Sequence, residues 1–501
     1  MRKIILLILL IFLSNYVSSQ NHGRFWYFGQ NAGLDFSTSP PTTLNDGQLN
    51  SFEGCSAISD DLGGNLLFYT DGTTVWNINH LQMPNGSGLF GDPNGSNAQV
   101  LIVKNGATTN EYFIITKEYQ TTYYTIVDMS LNNNLGDIDV NRKNIVLNNN
   151  PNAITSEQMT SFFEPGNSVS WIILFDSGSF YAFRILNGAI NVNNPVISNL
   201  AITSNIETRG MLKLSPDGST LVLTGISNLD QAFLLNFDIN TGAVTNPIEL
   251  SSSTTTAYYY GAEFSPDSRL VYLNGNTDVS PSCGSQVINT REVFQFEING
   301  PTGWNSNPIA LGGSTGANSG RGSLQLGPDG RIYFARSCHP WLGLIVNPTI
   351  IGTGATYIDN GIALASGTFS RQGLPSFFTQ QYAMNYHTIQ GNIKYDFNSD
   401  GCDVADLSFS NLSIQSSGNS VLVNSISRLD GNYGVTLPDG QFTITPKPRK
   451  PNLLEFLTNQ CSGKFSNPSQ SIYTRLLCNR KWSERRPRSN CSSIRTSKTR
   501  F

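Results

Sequence analysis

Three segments of the chain repeat one pattern, and that repeat limits the fold more than any other feature. "MLKLSPDGSTLVL" from Met211, "GAEFSPDSRLVYL" from Gly261 and "SLQLGPDGRIYFA" from Ser323 each place a Pro-Asp-Gly or Pro-Asp-Ser triplet between two apolar runs. Proline presets φ for a turn, the aspartate bonds its local backbone, and glycine accepts positive φ. Each segment is therefore a β-hairpin. A third strand follows each one: "QAFLLNFDI" from Gln231, "REVFQFEI" from Arg291 and "LGLIVN" from Leu342. Units of about fifty residues carrying three or four strands are blades of a β-propeller.

The earlier part of the chain fits the same frame with weaker turns. One unit runs from Glu53 to Asn79, the next from Ala98 to Ser130, and a third from Met159 to about Gly188. With the three Pro-Asp units they make six blades. Two pieces remain: "RFWYFGQNAGLDFST" from Arg24 and "RQGLPSFFTQ" from Arg371. A propeller must close its ring, because closure is how it avoids unpaired edges. The expectation is a seventh blade in which the N-terminal strands pair beside Leu374–Phe378. The fold class is thus all-β: a seven-bladed propeller over residues 22–380, a small incomplete β-sandwich module over 387–447, and a disordered basic tail over 448–501.

The first residues point to export. Arg2 and Lys3 precede an unbroken apolar run from Ile4 to Leu13, then small residues up to Ser19. That order is a secretory signal peptide over residues 1–19. No later stretch approaches the ~20 apolar residues of a membrane-spanning helix. The chain is therefore expected in the periplasm, at the cell surface or outside the cell, with no transmembrane segment after cleavage.

Charge is divided unevenly. Of 31 Lys and Arg, thirteen fall from Lys447 onward, where only two of the 35 acids lie, leaving 18 basic and 33 acidic residues before it. An acidic body argues against nucleic acid as a partner. The Arg-rich tail loses strand alternation abruptly, and from about Arg449 it reads as translated out of frame. A shift of one nucleotide permits "ENPTYLNFLPTNVQVNFPTPAKAFIQDFC", in which alternation returns.

Few residues suggest chemistry. Asp396, Asn398 and Asp400, with Asp403 or Asp406, open a calcium-loop pattern in "DFNSDG", but Leu407 stands where an EF-hand needs a bidentate glutamate. The loop either holds Ca²⁺ in a β-module or is an Asx-rich turn. No cofactor is expected in the propeller. "GGSTG" from Gly312 matches the nucleophile-elbow string but lacks its strand-turn-helix context. His22, His80, His339 and His387 are scattered, and Asp60 with Asp61 sits at a turn. Cys55 reads as a buried apolar residue, while Cys283 and Cys338 lie in loops that either pair or do not. Trp26, Tyr27, Phe28, Phe68, Tyr69, Trp76 and Tyr258–Tyr260 are read mainly as packing between blades.

In order along the chain, "WYFGQNAGLDFS", "EGCSAISD", "LLFYTDGTTVWN", "MPNGSGL", "SPDG", "LGPDGRIY" and "GLPSFF" resemble the N-terminal propeller of large Bacteroidota surface proteins. Those proteins end in a type B sorting domain of the type IX secretion system. "YDFNSDGCD" resembles the β-module that follows in many of them. The resemblance implies export and a role in surface adhesion or gliding, with no catalytic residues to carry over, although the sorting domain is absent from this chain. The expected function is a non-catalytic binding or adhesion module for a protein or glycan ligand. The alternatives are a propeller hydrolase or lactonase and a glycan-associated structural protein of the envelope.

Overall fold

The Pro-Asp triplets fold as their chemistry requires. In "LSPDGST" the Ser215 hydroxyl donates to Asp217 at 2.6 Å, the same carboxylate accepts the Ser219 N–H at 3.0 Å, and Gly218 turns at φ 75°. Ser268 takes that left-handed position in the next repeat at φ 59°, with Ser265 and Asp267 bonded in the same way. These turns join Leu212–Leu214 to Thr220–Thr224 and Tyr258–Phe264 to Leu270–Asn276, as the first two strands of successive sheets.

The computed structural model describes residues 21–447 apart from short internal segments, of which 277–288 and 397–405 are the longest. It also describes Cys461–Phe465 and Ile472–Asn479. The chain divides into two compact units, Met1–Tyr382 and Ala383–Phe501. The first is a seven-bladed β-propeller. Blades 1 to 6 start from innermost strands at Ser56–Ser59, Leu101–Lys104, Met159–Glu164, Leu212–Leu214, Tyr258–Phe264 and Leu324–Leu326. Each is a sheet of at least four strands, antiparallel except where a later segment joins blade 3 in parallel. Apolar side chains fill the wedges between blades: Leu221, Leu223 and Phe237 of blade 4 pack on Trp171 and Phe180 of blade 3, and Val222 and Leu234 on Tyr259 and Phe294 of blade 5.

The seventh blade departs from expectation. Phe25–Phe28, Ala32–Asp35 and Thr42–Leu44 form a three-stranded sheet between blades 6 and 1. The C-terminal segment lies along it, with Gln30 bridging Phe369 and the Phe377 ring against Gly23, but no ladder forms between Phe25–Phe28 and Leu374–Phe378. Pro375 removes a donor from the middle of the segment, and its neighbours bond elsewhere. Gln372 N–H donates to the Phe52 carbonyl at 2.9 Å and Ser376 N–H to that of Cys55 at 3.1 Å, while the Ser323 hydroxyl accepts from Leu374 N–H at 2.8 Å. The chain then crosses the axis. Phe377 bridges Ile102 in parallel, and Thr379–Gln380 pairs in parallel with Phe162–Phe163.

The second unit has two four-stranded sheets. Two further strands lie beyond Lys447. Cys461–Phe465 pairs with Gly440–Lys447, and Ile472–Asn479 runs parallel to His387–Asp396. Both cover edges that would otherwise stand open. Of the candidate calcium ligands, Asp396 ends the strand His387–Asp396, Asp406 is buried beside the exposed Leu407, and Asn398, Asp400 and Asp403 lie outside the described residues. The signal segment lies outside them as well. Among the described residues no helix is long and apolar enough to cross a membrane.

Candidate functional site

The innermost strands of several blades begin with one dyad: Glu53-Gly54, Arg209-Gly210 and Arg321-Gly322 hold the same place in their repeats. The glycine permits close packing. A Cβ on Gly322 would stand 2.0 Å from the Ala335 carbonyl oxygen, and one on Gly210 2.2 Å from that of Thr224. The residue before each glycine is thereby set at one mouth of the central bore.

Five further side chains meet there. Glu157 precedes the inner strand of blade 3 and accepts the Gly210 N–H at 3.1 Å. Tyr260, in the inner strand of blade 5, hydrogen-bonds the Glu53 carboxylate, and the Gln372 amide lies beside it. The Arg321 guanidinium sits 5.4 Å from the Tyr260 ring centroid. Gln158 donates to the Thr224 carbonyl at 3.0 Å, and Gln99 accepts the Met159 N–H at 2.8 Å. Glu53, Glu157, Tyr260 and Gln372 are all buried, yet Glu53 Oε2 has no hydrogen-bond partner among the described residues. A buried carboxyl oxygen left in this state is open to a partner, a donor when the group is ionised and an acceptor when it carries the proton.

Burial controls the charge state. It pushes the Glu53 pKa up to about 7, against the opposing pull of Arg321, the Tyr260 hydrogen bond and Arg209, and with Asp92 adding to the rise. Glu157 is raised well above the usual carboxylate range by burial and by the nearness of Glu53. Lys117, also buried, is lowered by desolvation, with Asp176 and Glu157 opposing. Two adjacent buried carboxyls resist ionising together, so the mouth retains a proton near neutral pH.

The sign for stability follows from the raised values. Stability from the protonated carboxyl is fully present below the unfolded pKa of about 4.5 and is lost as pH rises through about 7. Glu53→Gln is expected to remove that dependence, gaining roughly 3 kcal/mol at most relative to wild type between pH 5 and pH 8. Thermal melts of both proteins across that range measure it, and parallel curves would contradict it.

Further along the same inner strands, structural pairs cross between blades. Lys213, Glu263 and Gln325 occupy one repeat position in blades 4, 5 and 6. Lys213 Nζ donates to Gln325 Oε1 at 2.5 Å and lies 3.4 Å from Glu263, whose two oxygens also accept the Phe264 and Leu326 N–H groups. The far end is aromatic: Phe378 stacks on His22 at 4.5 Å and meets Phe163 edge-on. Among the described residues, polar side chains gather at one mouth and aromatic rings at the other.

This mouth brings together side chains that lie far apart in the sequence. Of its members, Tyr260 was read from sequence mainly as packing between blades, and Glu53, Glu157, Arg209, Arg321 and Gln372 were not picked out as site candidates. The Glu-Gly and Arg-Gly dyads were a usable signal, since they recur at one repeat position. Glu157, Tyr260 and Gln372 carry no such mark. The sequence candidates fall elsewhere. Ser314 of "GGSTG" lies inside the outer strand Ile309–Gly316 of blade 5, not on an elbow. Asp60 caps its turn by accepting from Gly64 and Asn65. His80 contacts Tyr69 and Asp46 beside the stacked pair Tyr27–Tyr69. Cys55 is buried and free, as expected, and Cys338 is disulfide-bonded, while Cys283 lies outside the described residues. Among the described residues no group of three or more His, Cys, Asp or Glu could hold a metal.

No protein-family model and no curated protein matches the chain. Among solved structures, a protein from Lactobacillus plantarum is 15% identical over 70% of this chain and 98% of its own, with a TM-score of 0.41. A putative 6-phosphogluconolactonase from Bacteroides uniformis is 12% identical over 68% and 97%, at 0.39. Hsv2 of Kluyveromyces lactis is 9% identical over 65% and 90%, at 0.34. Likeness this distant leaves function to be argued from the site.

Proposed function

We propose that the protein is an exported propeller that binds a ligand at the polar mouth of its bore, as a surface attachment module without turnover. One observation carries the reading: a buried carboxyl with an unpartnered oxygen, Glu53, stands among Glu157, Tyr260, Arg209, Arg321 and Gln372. The mixed set suits a neutral or zwitterionic polar group, offered both donors and acceptors by buried side chains. Export and a link to type IX secretion, with gliding or attachment as the setting, are supported by the signal-like N-terminus and by the ordered run of family-like segments. Any calcium is assigned to the Asp396–Asp400 loop of the second unit, not to the propeller.

A second reading draws on the retained proton. A carboxyl poised near pH 7 beside a second carboxyl can serve as an acid–base pair, the arrangement a hydrolase needs. The two readings part on one experiment. Purified protein is screened for binding to envelope glycans and surface proteins, and for hydrolysis of lactones, phosphoesters and glycosides. Binding weakened at least tenfold by Glu53→Gln, with no turnover, is the expected result. Hydrolysis abolished by the same substitution would replace the binding reading with the enzymatic one.

A further inference from the structure

The groove between blades 4 and 5 contains a partly enclosed cavity of about 200 Å³, remote in its residues from the mouth of the bore. Its floor is apolar and fixed. Leu234 is buried, and Ile248, Ile298 and Trp304 pack against the core shared by the two blades. Its rim is polar and uncharged: the amides of Asn236, Asn246 and Asn299, with the hydroxyl of Thr220. No Asp, Glu, Lys, Arg or His lines it.

The repeat shows how this groove differs from the one between blades 3 and 4. "NFDINTGAVTNPIEL" from Asn236 and "QFEINGPTGWNSNPIAL" from Gln295 are the same unit, so Ile239 and Ile298 are counterparts. The second copy is longer by two residues and carries Trp304. Between blades 3 and 4, the indole of Trp171 occupies the groove. Its N–H donates to the Ile239 carbonyl at 2.8 Å, and the ring lies where a Cβ on Gly242 would be 2.6 Å away. Between blades 4 and 5, no indole from blade 4 reaches the Ile298 turn, and the volume stays open. Asn246 and Asn299 hold left-handed conformations at φ 55° and 57°, and the ladder beside Asn236 is bulged. Bulges and left-handed residues re-aim side chains, and they cluster at binding sites.

We propose that this groove binds a neutral sugar residue. A pyranose ring has apolar C–H faces that fit an indole and aliphatic floor, and hydroxyls that both donate and accept, as carboxamides do. A cavity of about 150 Å³ admits benzene, so the volume here accommodates a six-membered ring with substituents projecting through the open side. The lack of a charged lining disfavours acidic sugars, whose carboxylate would lose hydration without a counter-charge.

The test uses the full chain and saturation-transfer NMR with titration against three probes: a neutral hexose, an N-acetylhexosamine and a uronic acid. A neutral sugar is expected to bind with a Kd on the order of 1 mM. Asn236→Ala and Asn246→Gly, the latter preserving the left-handed backbone, are each expected to weaken binding about five-fold with the Tm retained. Glu53→Gln should leave this affinity unchanged, which separates the groove from the mouth. Absence of any neutral-sugar response, affinity untouched by both asparagine substitutions, or tighter binding of the uronic acid would each overturn the proposal.

Discussion

Asp359→Ala is expected to cost up to about 3 kcal/mol of stability, the range for a hydrogen bond between charged groups, because Arg291 is wholly buried while Asp359 is about a quarter exposed. Asp359 lies in the outer strand of blade 6 and faces two cations. Arg291, wholly buried in the third strand of blade 5, donates to it at 2.5 Å, and Arg336 approaches at 3.0 Å while also bonding Asn360. Burial alone would raise the Asp359 pKa, but Arg291, the Tyr357 hydroxyl and Arg336 outweigh it and hold the carboxyl below its ordinary range. Because the value is depressed on folding, the stabilisation is present above the unfolded pKa of about 4 and is lost as pH falls through the folded one. The alanine variant should therefore approach wild type in acid and diverge from it at neutral pH. Denaturant melts at both ends of that range measure the effect. Arg291→Met combined with Asp359→Leu should recover part of the loss, since apolar replacement of a buried pair is often near neutral. A loss independent of pH would mean that packing, not charge, makes the contribution.

Trp26→Ala should be at least as costly, about 3–5 kcal/mol for a large aromatic removed from a core. For a domain of this length that corresponds to a Tm lower by roughly 4–7 °C. The residue is fully buried at the seam where the ring closes. Its ring meets Phe36 at 4.8 Å, Tyr333 of blade 6 at 5.3 Å and Phe377 at 5.8 Å, and its N–H donates to the Gly23 carbonyl at 2.9 Å. Because Phe25–Phe28 lacks a ladder to the C-terminal segment, side-chain packing takes over much of the closure. Trp26→Phe should restore more than half of the loss. If the alanine variant melts within about 1 °C of wild type, a margin worth under 1 kcal/mol here, the seam is held by other contacts.

How much of this was legible depends on what each residue type can announce by itself. Pro216, Pro266 and Pro328 with their aspartates identify hairpins, because turn chemistry is local and survives any tertiary context. The ring followed from those hairpins and from the need to close edges. The route of "RQGLPSFF" was not legible. Alternation in it suggests a strand, but Pro375 breaks the ladder, and the substitutes for it, Phe52, Cys55 and Ser323, are far away in sequence. The mouth was half legible: the Gly54, Gly210 and Gly322 dyads repeat, whereas Glu157 and Gln372 acquire meaning only when the blades are arranged around an axis. The groove with Trp304 was hidden for the same reason, since Trp171 and Trp304 look alike until one is seen filling its groove and the other lining an open one.

The path of the C-terminal segment also fixes how this propeller would bear load. Tension applied from beyond Gln380 enters close to the axis, not at an outer edge. Ser323 of blade 6, Phe52 and Cys55 leading into blade 1, Ile102 of blade 2, Phe162 of blade 3 and Leu214 of blade 4 all contact the segment between Gln372 and Gln380. The parallel bonds to Ile102 and Phe162 lie along inner strands, so a pull in line with those strands strains them together in shear. Peeling an outermost strand would break its bonds one after another. A chain attached in this way spreads force over five sheets before any single one is asked to open.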